Sequence, residues 1–291
     1  MSKIIQYNRD MFIFGEPVDV DGIGKVRFLT YKQYLTHIQE LSIMKMNVLH
    51  IYYQYRKMFD ENDPKAVEAL EELKKESLIN IVRSQKTFID SYVKIFELVL
   101  DENSKNDSWS ESLKENVNKE IEMARQNATI RDEKFTEPTT EQMDYLLLMK
   151  ALELIFTNEE MFIAFRQLIL DMQMLVEDEV AEDPKVQSFI EKSMRVKQRN
   201  APPQTIFDIT SSLVVGAGLS YEEISKMTVL QIYSTYYRIG AMKSYDTTTL
   251  FATVSGDVQI DQWNRNIDLF EKQTAGMKAS EFNKNFGGLF K

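Results

Sequence analysis

The sequence predicts a mainly α protein: a helical bundle with a small N-terminal β-hairpin or meander and a small helical C-terminal domain. Three observations predict it. Glycine and proline are scarce, 10 and 6 in 291 residues, which favours long regular elements over many short strands and turns. Apolar residues recur at spacings of three and four along most of the chain, as the buried face of a helix requires. Helix-start signals also recur, among them Thr30 with Gln33, Asp63 before Pro64, and Ser220 with Glu223. With 43% hydrophobic and 27% charged residues, the chain can bury a sizeable core.

The first 30 residues differ from the rest. The apolar run Met11 to Phe14, the alternating Val18-Asp19-Val20 and the alternating Lys25 to Leu29 are separated by Gly15-Glu16-Pro17 and by Gly22 and Gly24. Alternation with glycine between runs predicts a hairpin or three-stranded meander. Such an element is too small to be stable alone and must pack on helices.

Thr30 and Gln33 make a capping box that opens a helix over Tyr31 to Leu41. A second helix, rich in Met and Tyr, is expected over Ile43 to Phe59. Asp63-Pro64 starts a third, running to about Leu100 with a break or kink near Glu76-Ser77. The polar run Asp101 to Ser108 is a connector. Trp109 to Ile130 is a more polar helix, and Arg131 to Thr140 a loop. Glu141 to Phe156 and Glu159 to Val176 form an apolar helical pair with Asn158 as the cap between them. An acidic run (Glu177, Asp178, Glu179, Glu182, Asp183) precedes a helix opened by Pro184 and ending in Lys192, Arg195, Lys197 and Arg199.

Asn200-Ala201-Pro202-Pro203 is the clearest linker, because a proline pair cannot sit inside a helix. The domain organisation predicted is a β-hairpin region over 1–30, a helical domain over 31–200, and a small helical domain over 204–291 with a flexible tail. In the last, Thr205 caps a helix that ends at Gly216 and Gly218, and Ser220 opens Tyr221 to Ile239. Asp246 or Thr247 caps Thr248 to Val254, and Ile260 or Asp261 begins a helix through Phe270. Asn283 to Lys291, with Gly287-Gly288 and two phenylalanines, reads as a tail or a peptide that orders on a partner.

The formal net charge is −10, which disfavours nucleic acid and anionic membranes as partners. It suits a soluble protein whose copies repel one another, and it leaves self-association open. The absence of cysteine excludes disulfides, thiolate nucleophiles and cysteine-bound zinc. The N-terminus lacks the long apolar core of a signal peptide, and no run approaches the roughly 20 apolar residues of a membrane span. A cytosolic location is expected.

No constellation for catalysis emerges. His37 and His50, the two histidines, lack the spacing of a helical zinc motif and read as packing residues. Gly22-Ile23-Gly24-Lys25 lacks the length and the following Ser or Thr of a phosphate loop, so it reads as a hairpin turn. Adjacent carboxylates such as Glu71-Glu72 and Glu159-Glu160 point in different directions on a helix. The basic cluster from Lys192 to Arg199 could contact RNA or an acidic partner, but it reads first as charge that complements a helix C-terminus. No catalytic residue, cofactor or metal is assigned. The 15 Met, 13 Tyr and 17 Phe suit core filling at each single position. As a pattern they suit an adaptable binding surface better than an enzyme.

Two regions carry a family likeness: Phe12 to Val18 (FIFGEPV) leading into Lys25 to Leu35 (KVRFLTYKQYL), and Gly218 to Ile224 (GLSYEEI) through Trp263-Asn264. They resemble the tail-assembly chaperones of tailed phages and prophages of Gram-positive bacteria. The likeness covers under half of the chain, and the region from Pro64 to Asn200 is longer than a minimal chaperone requires.

The resemblance implies a non-enzymatic protein of the host cytoplasm. It would coat the phage tape-measure protein, recruit tail-tube subunits and leave the finished virion. Its helical body would offer apolar grooves to the tape-measure helices, and its C-terminal domain would serve the tube protein. Trp263, Tyr233, Tyr236 and Tyr237 are the expected contact anchors there, with an equal claim to be that domain's own core. Two other readings stay open: a structural virion component such as a head–tail or baseplate adaptor, and an enzyme with dispersed carboxylates.

Overall fold

The computed structural model describes residues 5–59, 63–177, 180–181, 183–200, 205–255, 258–267 and 269–270. Among them are fourteen α-helices and one two-stranded antiparallel sheet, so the chain is mainly α. The expected linker at Pro202-Pro203, the residues Asp178, Glu179 and Glu182 of the acidic run, and the tail over Asn283 to Lys291 lie outside the described residues.

Arg9–Phe14 is a 3-10 helix rather than a strand. The Asn8 side chain caps it by accepting from the Asp10 N–H, and Gly15 ends it at φ 68°. Strands β1 (Val18–Val20) and β2 (Gly24–Val26) pair antiparallel with Val18 opposite Val26. Gly22 turns the chain at φ 78°, so the glycine pair is a hairpin turn. At Gly24, with φ 133°, a Cβ would stand 2.6 Å from the Ser108 carbonyl oxygen. The buried Asn103 amide fastens β2: its oxygen accepts from Lys25 N–H at 3.0 Å, and its nitrogen donates to Lys25 C=O at 2.8 Å.

Helix α1 (Tyr31–Thr36) begins with the predicted Thr30–Gln33 capping box. The chain breaks at His37 before α2 (Ile38–Lys45), and Asn47 caps α3 (Val48–Arg56). The expected helix start at Ile43 therefore falls inside α2. Asp63 caps α4 (Pro64–Leu73), and Ser77 caps α5 (Leu78–Ser84) at the expected break. A second break falls at Gln85, whose backbone is extended, before α6 (Lys86–Leu100). A short α7 (Glu102–Asn106) occupies the expected connector. Next come α8 (Glu111–Ile130), α9 (Thr140–Thr157) and α10 (Glu159–Met172), the last capped by Asn158 as predicted.

Then follow α11 (Pro184–Asn200) and α12 (Ile206–Ala217), the latter capped by Thr205 and closed by Gly218 at φ 71°. The chain continues into α13 (Tyr221–Lys226) and α14 (Val229–Ala252). The predicted division of this region shifts. Thr228 and Gln231 form a reciprocal cap that breaks the expected Tyr221–Ile239 helix. Thr247 and Thr248 do not stop α14, because their hydroxyls bond back to the carbonyls of Lys243 and Ser244. Residues 260–267 run in turns and bends instead of the expected helix.

Two compact units result. The first comprises residues 1–44, 77–175 and 225–232. Its core is an aromatic cluster in which Phe96 packs on Tyr92, Phe156 and Phe165 at ring separations of 5.8, 5.4 and 4.9 Å. Among the described residues three buried ions belong to it, the first being Arg27, whose Nε donates to Asp101 at 2.7 Å. The Arg166 Nε donates to the Met44 carbonyl at 2.8 Å, satisfying an end carbonyl of α2 that has no partner within the helix. Asp171 accepts from the Tyr7 hydroxyl at 2.6 Å and from Arg9 Nη2 at 2.6 Å, which ties down the N-terminal segment. Burial first, and then the Asp171 carboxylate, raise the Tyr7 pKa far above the ordinary tyrosine value.

The second unit comprises residues 45–76, 176–224 and 233–291. Tyr52, Tyr53 and Leu70 form a small core between α3 and α4, with Tyr55, Leu73 and Val180 packed against it. The Lys74 ammonium lies 4.2 Å from the centre of the Tyr52 ring.

Candidate partner-binding surface

In the second unit α12 packs closely on α14. A Cβ at Gly216 would stand 2.8 Å from Ile239 Cγ2, so glycine sets the approach. On α12 itself Ile209 and Leu213 are buried. Phe207 and Val215 face outward at 75% and 86% exposure. Along α14, Leu250 and Phe251 face outward too, as does Val254 just beyond it.

The four aromatic anchors expected from the sequence fall on or against α14. Tyr233 and Tyr236 are half-buried, and Tyr237 and Trp263 are exposed. Tyr237 stacks on Tyr233 at 6.1 Å and meets Tyr236 edge-on at 5.7 Å. Trp263 is brought to the helix by a residue the sequence reading missed. Arg238 Nη1 donates to the backbone carbonyls of Trp263 at 2.7 Å and Arg265 at 3.0 Å. Arg238 is the one charged residue between Lys226 and Lys243, and that isolation was the available signal.

A second feature of this unit is the groove between α3 and α11. Two adjoining cavities of about 180 and 240 Å³ share Tyr53, Lys57, Gln187 and Glu191. Lys57 Nζ donates to Glu191 Oε1 at 3.1 Å, and this bond, with others, holds the Glu191 carboxyl below the usual glutamate range. His50 lines the groove.

His37, in the first unit, is the C-cap of α1, with Nδ1 3.8 Å from Glu40. Among the described residues no three His, Asp or Glu side chains gather as metal ligands. The methionines noted in the sequence divide: Met44 and Met172 are buried, and Met58 and Met149 are exposed. Among the described residues no helix is long and apolar enough to cross a membrane.

The fold is therefore a two-unit helical protein whose second unit carries aromatic and aliphatic side chains on outward helix faces. Residues 7–137 match the family described as YomV N-terminal domain, and residues 197–268 match that described as YomV second domain. The chain is 30% identical over 285 residues to the SPbeta prophage-derived protein YomV of Bacillus subtilis (strain 168), covering 97% of this chain and 98% of that protein. It belongs to the YomV family and is a phage or prophage protein of Bacillus-like hosts. No solved structure matches it.

Proposed function

We propose that the chain is a non-enzymatic tail-assembly chaperone that binds the phage tape-measure protein and recruits tail-tube subunits. One observation carries the reading: the second unit holds Phe207, Val215, Tyr237, Leu250 and Phe251 toward solvent on well-formed helices, with the exposed Trp263 in a turn held to α14 by Arg238. Single exposed apolar residues are ordinary on a protein surface, and the presence of several large ones in one unit supports a partner-binding role for it. Burying each large side chain against a partner contributes about 1.5–3 kcal/mol, so a few suffice for micromolar binding. A long helical partner such as a tape-measure protein offers a matching apolar stripe. The prophage origin of the relative supports the setting.

The test is co-expression with the tape-measure protein of the same phage, followed by pull-down and a solubility assay. The chaperone keeps that partner soluble and binds it in several copies, and Phe207→Ser with Phe251→Ser removes both effects. If the partner is indifferent to this chain, the reading is wrong. If the chain instead assembles into rings, a head–tail or baseplate adaptor replaces it.

A further inference from the structure

Helix α11 divides into two unlike faces. Successive residues turn by about 100°, so Gln187 and Glu191 share one side. That side is occupied: Gln187 accepts from the Ala181 N–H at 3.0 Å, and Glu191 accepts from Lys57 at 3.1 Å. Over the opposite side Val186, Phe189 and Val196 are 49%, 72% and 57% exposed. Lys185 and Lys192 stand exposed beside this stripe, and Arg195 stands exposed further round, one turn on from Glu191 and acting on its carboxyl. The helix holds five basic residues and one acidic one, in a chain of net charge −10. Its one carboxylate, Glu191, is on the occupied side, so the charges that border the outward stripe are cationic, with Ser193 the polar residue within it.

We propose that this outward face of α11 docks an acidic amphipathic helix of a partner protein. The stripe recurs at helical spacing, which fits one apolar ridge of an incoming helix. Carboxylates flanking that ridge would meet Lys185 and Lys192, giving orientation and a faster encounter. A second copy of this chain in a two-fold contact would set the same cationic face against this one, which disfavours it. A bilayer is a poorer occupant, because the apolar stripe is narrow. RNA would use the cations and gain little from two valines. The surface is separate from the α12–α14 side chains discussed above and serves a chaperone or an adaptor alike, so it does not stand or fall with the tape-measure reading.

The experiment uses the full chain and a fluorescent designed peptide of about 20 residues, helical, with leucine along one stripe and glutamate on both flanks. A second peptide carries lysine in place of every glutamate. By anisotropy the acidic peptide binds at least about tenfold tighter than the basic one, and weakens as salt rises from about 50 to about 500 mM. Phe189→Ser and the pair Lys185→Glu with Lys192→Glu each weaken it about tenfold, and Phe207→Ser leaves it within about twofold. Circular dichroism confirms that each variant stays folded; if Phe189→Ser does not, the charge-reversal pair decides. Equal binding of the two peptides, or binding of neither, overturns the proposal. So does charge-reversal-sensitive binding of phosphatidylglycerol vesicles or of a single-stranded RNA in place of the acidic peptide.

Discussion

Thr30 and Thr228 face each other across an isolated antiparallel bridge, and each caps its own helix with a glutamine three residues on. Beside them the Tyr31 N–H donates to the Met227 carbonyl at 2.7 Å, and Gln231 Nε2 donates to the Ile13 carbonyl at 2.9 Å. The segment Ser225–Ile232, which lies within the second matched family domain, thus completes the unit built mainly from the first.

The first unit therefore depends on residues near the far end of the chain. Ile232 is fully buried there, and Ile232→Ala is expected to cost about 2–5 kcal/mol. Thr228→Ala removes only a cap and costs about 1 kcal/mol. Urea unfolding of both variants checks the order, and equal midpoints for Ile232→Ala and the parent chain would contradict it.

Gly24→Ala is predicted to destabilise more than Gly22→Ala. Both glycines have positive φ, but a Cβ at Gly24 meets the Ser108 carbonyl and the Trp109 Cα, whereas nothing lies within 4 Å of one at Gly22. Gly22→Ala then costs only the left-handed backbone, about 1–2 kcal/mol, and Gly24→Ala costs that plus displacement of the Asn103–Trp109 segment. Thermal unfolding of the pair is the check.

Arg238→Ala should release Trp263 while leaving Trp109 alone. These are the chain's two tryptophans; Trp109 is 4% exposed and Trp263 is 41% exposed. In a Trp109→Phe background, acrylamide quenching of Trp263 rises in Arg238→Ala if the two carbonyl hydrogen bonds hold the segment. Unchanged quenching would show that they do not.

The Lys57–Glu191 bond makes the packing of α11 on α3 acid-sensitive. The folded Glu191 carboxyl titrates below its ordinary range, chiefly because it accepts from Lys57. A carboxyl lowered on folding contributes stability that is complete above its unfolded pKa and is lost as pH falls through the folded one. Glu191→Gln is therefore less stable than the parent near neutrality, by under about 1 kcal/mol for so exposed a pair. The gap closes as the pH falls below the ordinary glutamate range. Unfolding midpoints of both chains across that range test the sign, and a gap that widens in acid would be wrong.

Cap chemistry was the most legible part of the fold because it is local. Thr30, Asp63, Asn158 and Thr205 all accept the backbone bonds their side chains suit, and Gly218 closes α12 in the left-handed conformation it alone tolerates well. Errors came where one local signal had two readings. Thr228 with Gln231 is a capping box of the kind read at Thr30, but it was hidden inside a helical run. Thr247 was read as a cap, yet its hydroxyl bonds back along α14 instead. Met11 to Phe14 carries an apolar run that periodicity cannot assign, and the Asn8 cap and Gly15 made it a 3-10 helix.

At the candidate surface, the tyrosines and Trp263 were legible because large aromatics stand out in any sequence. Arg238 was not, because its partners are backbone carbonyls 25 and 27 residues away, which no spacing reveals. The outward stripe of α11 was half-legible: the basic cluster was plain, but which face was already taken depended on Lys57, a long-range contact.

The decisive measurement is the amount of this chain in purified phage particles against that in lysates taken during assembly. A tail-assembly chaperone is abundant in the lysate, bound to the tape-measure protein, and absent from the particles. A fixed number of copies retained in every mature particle would instead make the chain a structural component of the virion.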